Sequence, residues 1–261
     1  MAITAIEYKL LHDLKRRGAL PRRPHVVEFG EANWYGDVPI GQLVKDIRAL
    51  VPDARAREGL EGEALALHAR DAAGEEGALF GIAKIYYRAF LDPASLTAVD
   101  LGGTDKALRL DLNHPLTLPR KFDLALNFGT AEHVFNVHQF FRTVHDWTED
   151  GGLMLHGAPF HGWIDHGFYA IQPTLYFDLA MANGYAVVGV FYCEVTPPKI
   201  VALATREQIL DMARRGEVGA NAMIYAVLSK PAGAAEFRIP MQGYYAGTVS
   251  AEAAEAWRAL R

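Results

Sequence analysis

His25-Val-Val-Glu28-Phe-Gly30 is a short apolar run that enters a glycine turn, and this stretch decides the fold. A continuous apolar run bounded by turn residues is typical of a strand that is buried on both faces. Glycine has no Cβ, so the backbone at Gly30 can approach a ligand closely. The stretch therefore predicts a buried strand that ends in a turn open to a ligand.

Further apolar runs predict strands, and amphipathic segments between them predict helices. The predicted strands are Leu96–Asp100, Leu108–Leu112, Phe122–Asn127, Leu153–His156, Ala186–Val195 and Ala222–Ser229. The predicted helices are Ile3–Arg17, Glu132–Trp147 and Thr174–Asn183. Alternation of the two types indicates an α/β fold with a mainly parallel sheet between two helical layers, formed by a single domain of residues 1–261.

The segment behind the first strand is unusually long. Asp100 lies 72 positions after Glu28, whereas one helical crossover needs only a dozen or more residues. We therefore expect a helical insertion over residues 41–92. A separate N-terminal helical segment is expected over residues 1–24. The insertion either packs at the sheet edge or forms a partial lid, with Tyr86 and Tyr87 near a substrate.

Composition narrows the function classes. The chain has 261 residues, of which 51% are hydrophobic and 22% charged, and its formal net charge is −5. This balance favours neither nucleic acid nor an anionic membrane as a partner. Cys193 is the only cysteine, which excludes an intramolecular disulfide and a cysteine-based zinc site. Without a signal-peptide pattern or a long apolar span, a cytoplasmic protein is expected.

Polar groups stand at several successive strand ends. In open parallel sheets ligands bind at the carboxyl ends of strands, so these residues predict a nucleotide-like cofactor site. An acid in the position of Asp100 can accept both hydrogen bonds of a ribose diol. The expected cofactor-binding residues are Glu28, Gly30, Asn33, Asp100, Leu101, Asp111, Leu112, Asn127 and Gly129. The alternative for each strand-end acid is a helix cap or a solvent-facing side chain.

Two longer motifs are more specific than the glycine turn. They are Gly129-Thr-Ala-Glu-His-Val-Phe-Asn136 and His166-Gly-Phe-Tyr169, the latter followed by Gln172-Pro. With the strand motifs, they resemble class I S-adenosylmethionine-dependent methyltransferases, and in particular a bacterial subgroup that carries both motifs. The resemblance extends from about His25 to Ser229.

The resemblance implies a Rossmann-like seven-stranded sheet with an antiparallel last strand, a methyltransferase activity and S-adenosylmethionine as cofactor. Asp111 would then accept from the adenine amino group, and Glu28 would orient the methionine part directly or through its turn. The glycine turn departs from the family pattern, because no glycine lies between Gly30 and Gly36. The bulky Asn33-Trp34-Tyr35 segment is an alternative packing surface for the ligand.

The segment His156–Tyr169 is rich in histidine and follows a strand end. Methyl transfer to a hydroxyl requires alignment and a base, and histidine titrates near neutrality. The expected base is His166 or His161, with His133 as a further candidate, and Asp165 or Glu132 would orient the imidazole. Glu132, Tyr169, Gln172 and Tyr86 are the expected substrate-binding residues.

The expected substrate is a small molecule or a saccharide, and the protein is either a monomer or a homo-oligomer. No metal is expected, because the spacing matches no ligand signature; the alternative is a divalent ion held by His161, Asp165 and His166 with Glu132.

A second alternative is an inactive methyltransferase-like interaction module. A nicotinamide-dependent oxidoreductase is disfavoured because Gly-x-Gly-x-x-Gly is absent. The segment Phe237–Tyr245 would close over the site, contact another subunit or pack on the surface.

Overall fold

The computed structural model describes residues 1–233 and 236–259. The strands are β1 (Ala2–Ile3), β2 (His25–Phe29), β3 (Asn33–Trp34), β4 (Ser95–Val99), β5 (Phe122–Phe128), β6 (Thr148–His161), β7 (Ala186–Glu194), β8 (Lys199–Ala202) and β9 (Ala222–Ser229). The helices are α1 (Ala5–Arg16), α2 (Ile40–Leu50), α3 (Ala54–Ala72), α4 (Ala78–Leu91), α5 (Val137–Trp147), α6 (Pro173–Asn183), α7 (Gln208–Arg214), α8 (Gly243–Ala246) and α9 (Ala251–Arg258), with a 3-10 turn at Ala131–His133.

Within the described residues, seven strands form one sheet in the order β4-β2-β5-β6-β9-β7-β8. The first four are parallel, whereas β9 is antiparallel to both of its neighbours. β1 and β3 form a separate two-stranded parallel sheet. The predicted α/β fold, its seven-stranded sheet and its antiparallel last strand are confirmed.

The prediction of a strand at Leu108–Leu112 is wrong. Only one bridge, between Val99 and Leu108, joins this segment to β4. The backbone N–H of Leu110 donates to the carbonyl of Leu108 at 3.0 Å, so the chain turns away and stops pairing. The seventh strand is instead β8, which was not predicted and which forms an antiparallel hairpin with β7 at the opposite edge.

Each face of the sheet is covered by helices. On one face α1, α2 and α4 share a core with strand residues such as Val26 and Leu124. On the other face α5 packs against Phe29 of β2, and α6 packs against β7 and β9. The three helices between β3 and β4 form the helical insertion that was predicted after the first strand, and all three contribute buried residues to the core on the first face.

Helix ends follow local chemistry. Thr4 and Glu7 form a capping box at the start of α1. The predicted helix at Glu132–Trp147 begins later, at Val137, because the Asn136 side chain accepts from the Gln139 N–H and caps α5 there. α6 ends at Gly184, which adopts a left-handed conformation with φ of 69°. In the described part of the chain, no helix combines the length and apolarity needed to cross a membrane.

Candidate functional site

A cleft of about 270 Å³ opens at the carboxyl ends of β2, β4 and β5. Its volume lies near the lower limit of ligand pockets, which measure about 300–1,000 Å³. The lining residues are Met1, Gly30, Val99, Asp100, Leu101, Leu110, Asp111, Leu112, Asn113, Gly129, Thr130, His133 and Val134. Six of the nine residues predicted to bind a cofactor therefore border one cavity: Gly30, Asp100, Leu101, Asp111, Leu112 and Gly129.

Two glycines shape the floor of this cleft. Gly30 and Gly129 have φ angles of 89° and 96°, which side-chain-bearing residues rarely adopt. A Cβ at Gly30 would also stand well inside van der Waals distance of the Thr130 hydroxyl. Glycine at this position therefore lets the β2 turn and the β5 turn meet.

Asp100 is fixed at the end of β4 by backbone donors. One carboxylate oxygen accepts from the Glu31 N–H and the other from the Gly102 N–H, both at 2.7 Å. Each oxygen keeps lone pairs that these bonds do not use. Asp100 is thus an oriented hydrogen-bond acceptor at the cleft, beside Leu101, whose side chain is largely exposed.

Asp111 lies on the segment that was predicted to be a strand. Its carboxylate accepts from the backbone N–H and side-chain amide of Asn113, at 2.9 and 2.8 Å. These bonds lower the pKa of Asp111, so the group stays ionised at neutral pH. Neighbouring Leu112 is buried and contributes an apolar part of the wall.

Three residues predicted to bind the cofactor do not line the cleft. Glu28 is fully buried and its carboxylate pairs with Lys84 of α4, although burial still raises its pKa. Asn33 lies in β3, where its N–H donates to the Met1 carbonyl. Asn127 accepts from the N–H groups of Thr130 and Ala131, so it shapes the turn that carries the lining residues.

Glu132, His133 and His166 come together at the edge of the cleft. The Nε2 atoms of both histidines lie 3.9 Å from the same carboxylate oxygen of Glu132. The two imidazole rings are 5.0 Å apart between centroids. Of the two acids predicted to orient an imidazole, Glu132 is the one in position to do so.

The Glu132 carboxylate is in an unusual environment. The residue is 0% exposed, and neither carboxylate oxygen has a hydrogen-bond partner within the described structure. Burial raises the pKa of Glu132 to about 7. Burial also lowers the pKa of His133, with the neighbouring His166 as a further cause. The cluster can therefore exchange a proton near neutral pH.

Other predicted residues of the histidine-rich loop lie outside this cluster. His161 is exposed, with Nδ1 at 3.2 Å from the Gly219 carbonyl. Asp165 is exposed at a loop position with φ of 58°. The Tyr169 hydroxyl donates to the Phe135 carbonyl at 2.7 Å, and Gln172 precedes α6 beside a different pocket.

Tyr86 does not reach the cleft, contrary to the expectation that it lies near the substrate. It is fully buried, with its ring 5.2 Å from that of Phe90 and 5.5 Å from that of Trp34. Tyr87 is also fully buried. Both side chains face the core because α4 packs as part of the fold, and the aromatic spacing reflects that packing.

Sequence reasoning missed several groups around the site. Thr130 and Val134 line the cleft from within the quoted Gly129–Asn136 motif, where only Gly129, Glu132 and His133 were assigned roles. Asn113 was also missed, although an Asp followed two residues later by Asn is a turn signal. Lys84, the partner of Glu28, carried no signal beyond a charge on a largely apolar helix that also contains Arg88.

No family model matches the chain, and no curated protein matches it. Solved structures with a related arrangement include the N-methyltransferase NodS from Bradyrhizobium japonicum, with 12% identity and a TM-score of 0.43 over 87% of this chain and 97% of that one. A putative methyltransferase from Bacillus halodurans has 11% identity and a TM-score of 0.42 over 85% and 98% of the two chains. An S-adenosylmethionine-dependent methyltransferase from Mesorhizobium loti has 16% identity and a TM-score of 0.39 over 87% and 98%.

Proposed function

We propose that the protein is an S-adenosylmethionine-dependent methyltransferase that methylates an oxygen of a small molecule or saccharide. One observation carries the proposal: a cleft with an oriented acid and two glycine turns opens beside the Glu132, His133 and His166 cluster. The proposal is supported because a cleft suited to a nucleotide-type cofactor lies next to groups that can exchange a proton near neutral pH.

The residues of the cleft fit the cofactor. Asp100 offers a fixed carboxylate for a ribose diol, and Leu101 and Leu112 offer apolar surface for an adenine ring. Gly30 and Gly129 leave room for the methionine part near the turn. When bound, the cofactor supplies an electrophilic methyl group on a sulfonium. The chain's own residues bind it, orient the acceptor and take up the acceptor proton.

The proton is best received by the histidine cluster. His133 lines the cleft, and His166 faces the same carboxylate oxygen. An imidazole that takes the hydroxyl proton becomes a cation, and the adjacent Glu132 carboxylate stabilises it at close range. His161 lacks such a partner, so the structure favours His133 or His166 as the base.

Calorimetric titration with S-adenosylmethionine, S-adenosylhomocysteine and NAD tests the proposal. We expect saturable binding of the first two and none of NAD. Absence of binding by both sulfur compounds would refute it. Transfer is then measured as S-adenosylhomocysteine release with a panel of hydroxylated small molecules and saccharides. Cofactor binding without transfer to any acceptor would favour the inactive interaction module instead.

Asp100→Ala should weaken S-adenosylmethionine binding about tenfold or more, because hydrogen bonds to a charged group contribute about 1.5–3 kcal/mol. Calorimetry measures the change. Asp105→Ala, an exposed acid on the same loop, is the control and should bind as the wild type does. Equal affinity of the Asp100 and Asp105 variants would remove Asp100 from the cofactor site.

His133→Ala and His166→Ala should each lower the turnover number about tenfold. His166 is not among the residues that line the cleft, so His166→Ala should leave cofactor affinity unchanged. The loss is moderate because the remaining imidazole still faces Glu132. His161→Ala, on the same loop, is the control, and its turnover number should stay within about threefold of the wild type. A general base contributes more than that to the rate. A larger loss in the His161 variant than in the other two would identify His161 as the base.

A further inference from the structure

Two imidazoles and one buried carboxylate converge from two segments of the chain, and we propose that Glu132, His133 and His166 bind a divalent transition-metal ion of the Zn²⁺ type. Each residue offers one ligand atom, an imidazole nitrogen or a carboxylate oxygen, and these three atoms all lie within 4.8 Å of one another. The site rests on this geometry and does not depend on the proposed methyl transfer. An imidazole nitrogen that binds the ion cannot also accept a proton, so the histidine base described above applies to the metal-free protein.

The distances suit a shared ion. Zn–N and Zn–O bonds of about 2.0–2.2 Å place two ligands of one ion about 3.4 Å apart at a tetrahedral angle. The Nε2 atoms of His133 and His166 are each 3.9 Å from the Glu132 oxygen. Rotation of the side chains would bring these atoms closer together around one ion.

The environment of the Glu132 carboxylate is an independent argument for a bound metal ion. It is 0% exposed and both of its oxygens lack a hydrogen-bond partner within the described residues. Buried carboxylates are normally paired, hydrogen-bonded or bound to a metal. A cation between Glu132 and the two imidazoles would satisfy this group.

The backbone holds the two ligand-bearing segments together. The N–H of Phe168 donates to the Glu132 carbonyl at 2.8 Å, which ties the His166 loop to the 3-10 turn. Gly167 lies against Glu132 and His133, and a Cβ there would approach the Glu132 carbonyl to 3.0 Å. Glycine between His166 and Phe168 therefore permits the close approach that brings the third ligand into place.

The donor set indicates the class of ion, and the exposure of the two histidines indicates that the site is accessible. Imidazole with carboxylate suits Zn²⁺, Fe²⁺, Ni²⁺ or Co²⁺, whereas Mg²⁺ prefers oxygen ligands only. The side chains of His133 and His166 are 47% and 40% exposed, so one side of the site is open. Three protein ligands and an open position are typical of catalytic rather than structural zinc sites. A hydroxyl bound there would lose its proton more readily.

The test uses the full chain without a histidine tag, stripped with a chelator and titrated with ZnCl₂ by calorimetry. We expect saturable binding of one equivalent, and a visible absorption spectrum when Co²⁺ replaces Zn²⁺. His133→Ala and His166→Ala should weaken Zn²⁺ binding about 100-fold or more, since residues that only support metal ligands already contribute about 10–100-fold. MgCl₂ should not compete.

His161→Ala is the matched control, because it removes an exposed histidine of the same loop and should leave Zn²⁺ affinity unchanged. Glu132→Gln keeps the size of the side chain and should also lose the ion, with circular dichroism confirming its fold. No saturable Zn²⁺ binding, or equal binding by wild type and His166→Ala, would overturn the site. Cofactor binding is titrated in a separate experiment, in the presence of chelator. If the protein binds Zn²⁺ but not the cofactor, only the proposed methyltransferase function is refuted.

Discussion

Glu132→Gln is expected to abolish methyl transfer and, at the same time, to make the fold more stable. The turnover number should fall about 100-fold or more, because both imidazoles of the cluster depend on this one carboxylate. Stability should rise because Glu132 is fully buried without a hydrogen-bond partner in the described structure. Glutamine resembles the protonated acid and carries no charge to bury.

The size of the stability gain follows from the pKa. Burial raises the pKa of Glu132 from 4.5 to about 7. At 1.36 kcal/mol per pKa unit, ionising the group in the folded state at pH 7.5 costs about 3 kcal/mol. Denaturant unfolding in the presence of chelator measures the difference in free energy of unfolding.

Glu7→Gln is the matched control, since Glu7 is also a buried carboxylate but is well bonded. It accepts from the Thr4 N–H at 2.9 Å and from the Tyr225 hydroxyl. Burial raises the pKa of Glu7 as well, but replacement there should destabilise the fold by about 1–3 kcal/mol, because the Thr4 N–H and the Tyr225 hydroxyl bond to different carboxylate oxygens and an amide keeps only one acceptor oxygen. If Glu132→Gln destabilised the protein as Glu7→Gln does, Glu132 would be a structural acid.

The positions of the strands along the chain were predictable from the sequence to the extent that strands are apolar and buried. Residues 25–29, 122–128 and 222–229 form strands close to the predicted bounds. Leu108–Leu112 was also predicted as a strand, with leucine at every second position, yet a local bond from the Leu110 N–H to the Leu108 carbonyl ends its pairing. Whether such a short segment forms a strand depends on its pairing partners, and the periodicity of the sequence alone does not reveal them.

The residues of the candidate site were likewise predicted only in part. Residues directly after strands, such as Gly30, Asp100 and Gly129, line the cleft because parallel strands end at one edge of the sheet. Glu28 lies inside a strand, where successive side chains point to opposite faces. Its carboxylate faces the α4 layer and meets Lys84, a contact between residues 56 positions apart that no local pattern reveals.

His156 should make the protein sensitive to acid. It is buried, and burial lowers its pKa to about 3. Its Nδ1 lies 3.3 Å from the Asn127 amide, which donates to it only when that nitrogen is unprotonated. The unfolded chain binds the proton below about pH 6.5 and the folded chain does not. Stability is therefore complete above about pH 6.5 and declines as pH falls toward 3.

Between pH 7 and pH 5, His156 should remove about 2 kcal/mol from the free energy of unfolding. Glu132 acts in the opposite direction, because acidification protonates its buried carboxylate and returns about 2 kcal/mol over the same range. As far as these two groups determine it, the wild type should change little between the two pH values. The two contributions can be separated only by substitution.

His156→Gln keeps an acceptor for Asn127 and cannot be protonated in this range, so the variant should be about 2 kcal/mol more stable at pH 5 than at pH 7. Glu132→Gln should show the reverse order, with a loss of about 2 kcal/mol on acidification. His68→Gln, at an exposed position of α3, should reproduce the wild-type profile. Urea unfolding of all four proteins in chelator gives the comparison. Parallel profiles for the His156 and Glu132 variants would show that neither group is buried in its uncharged form.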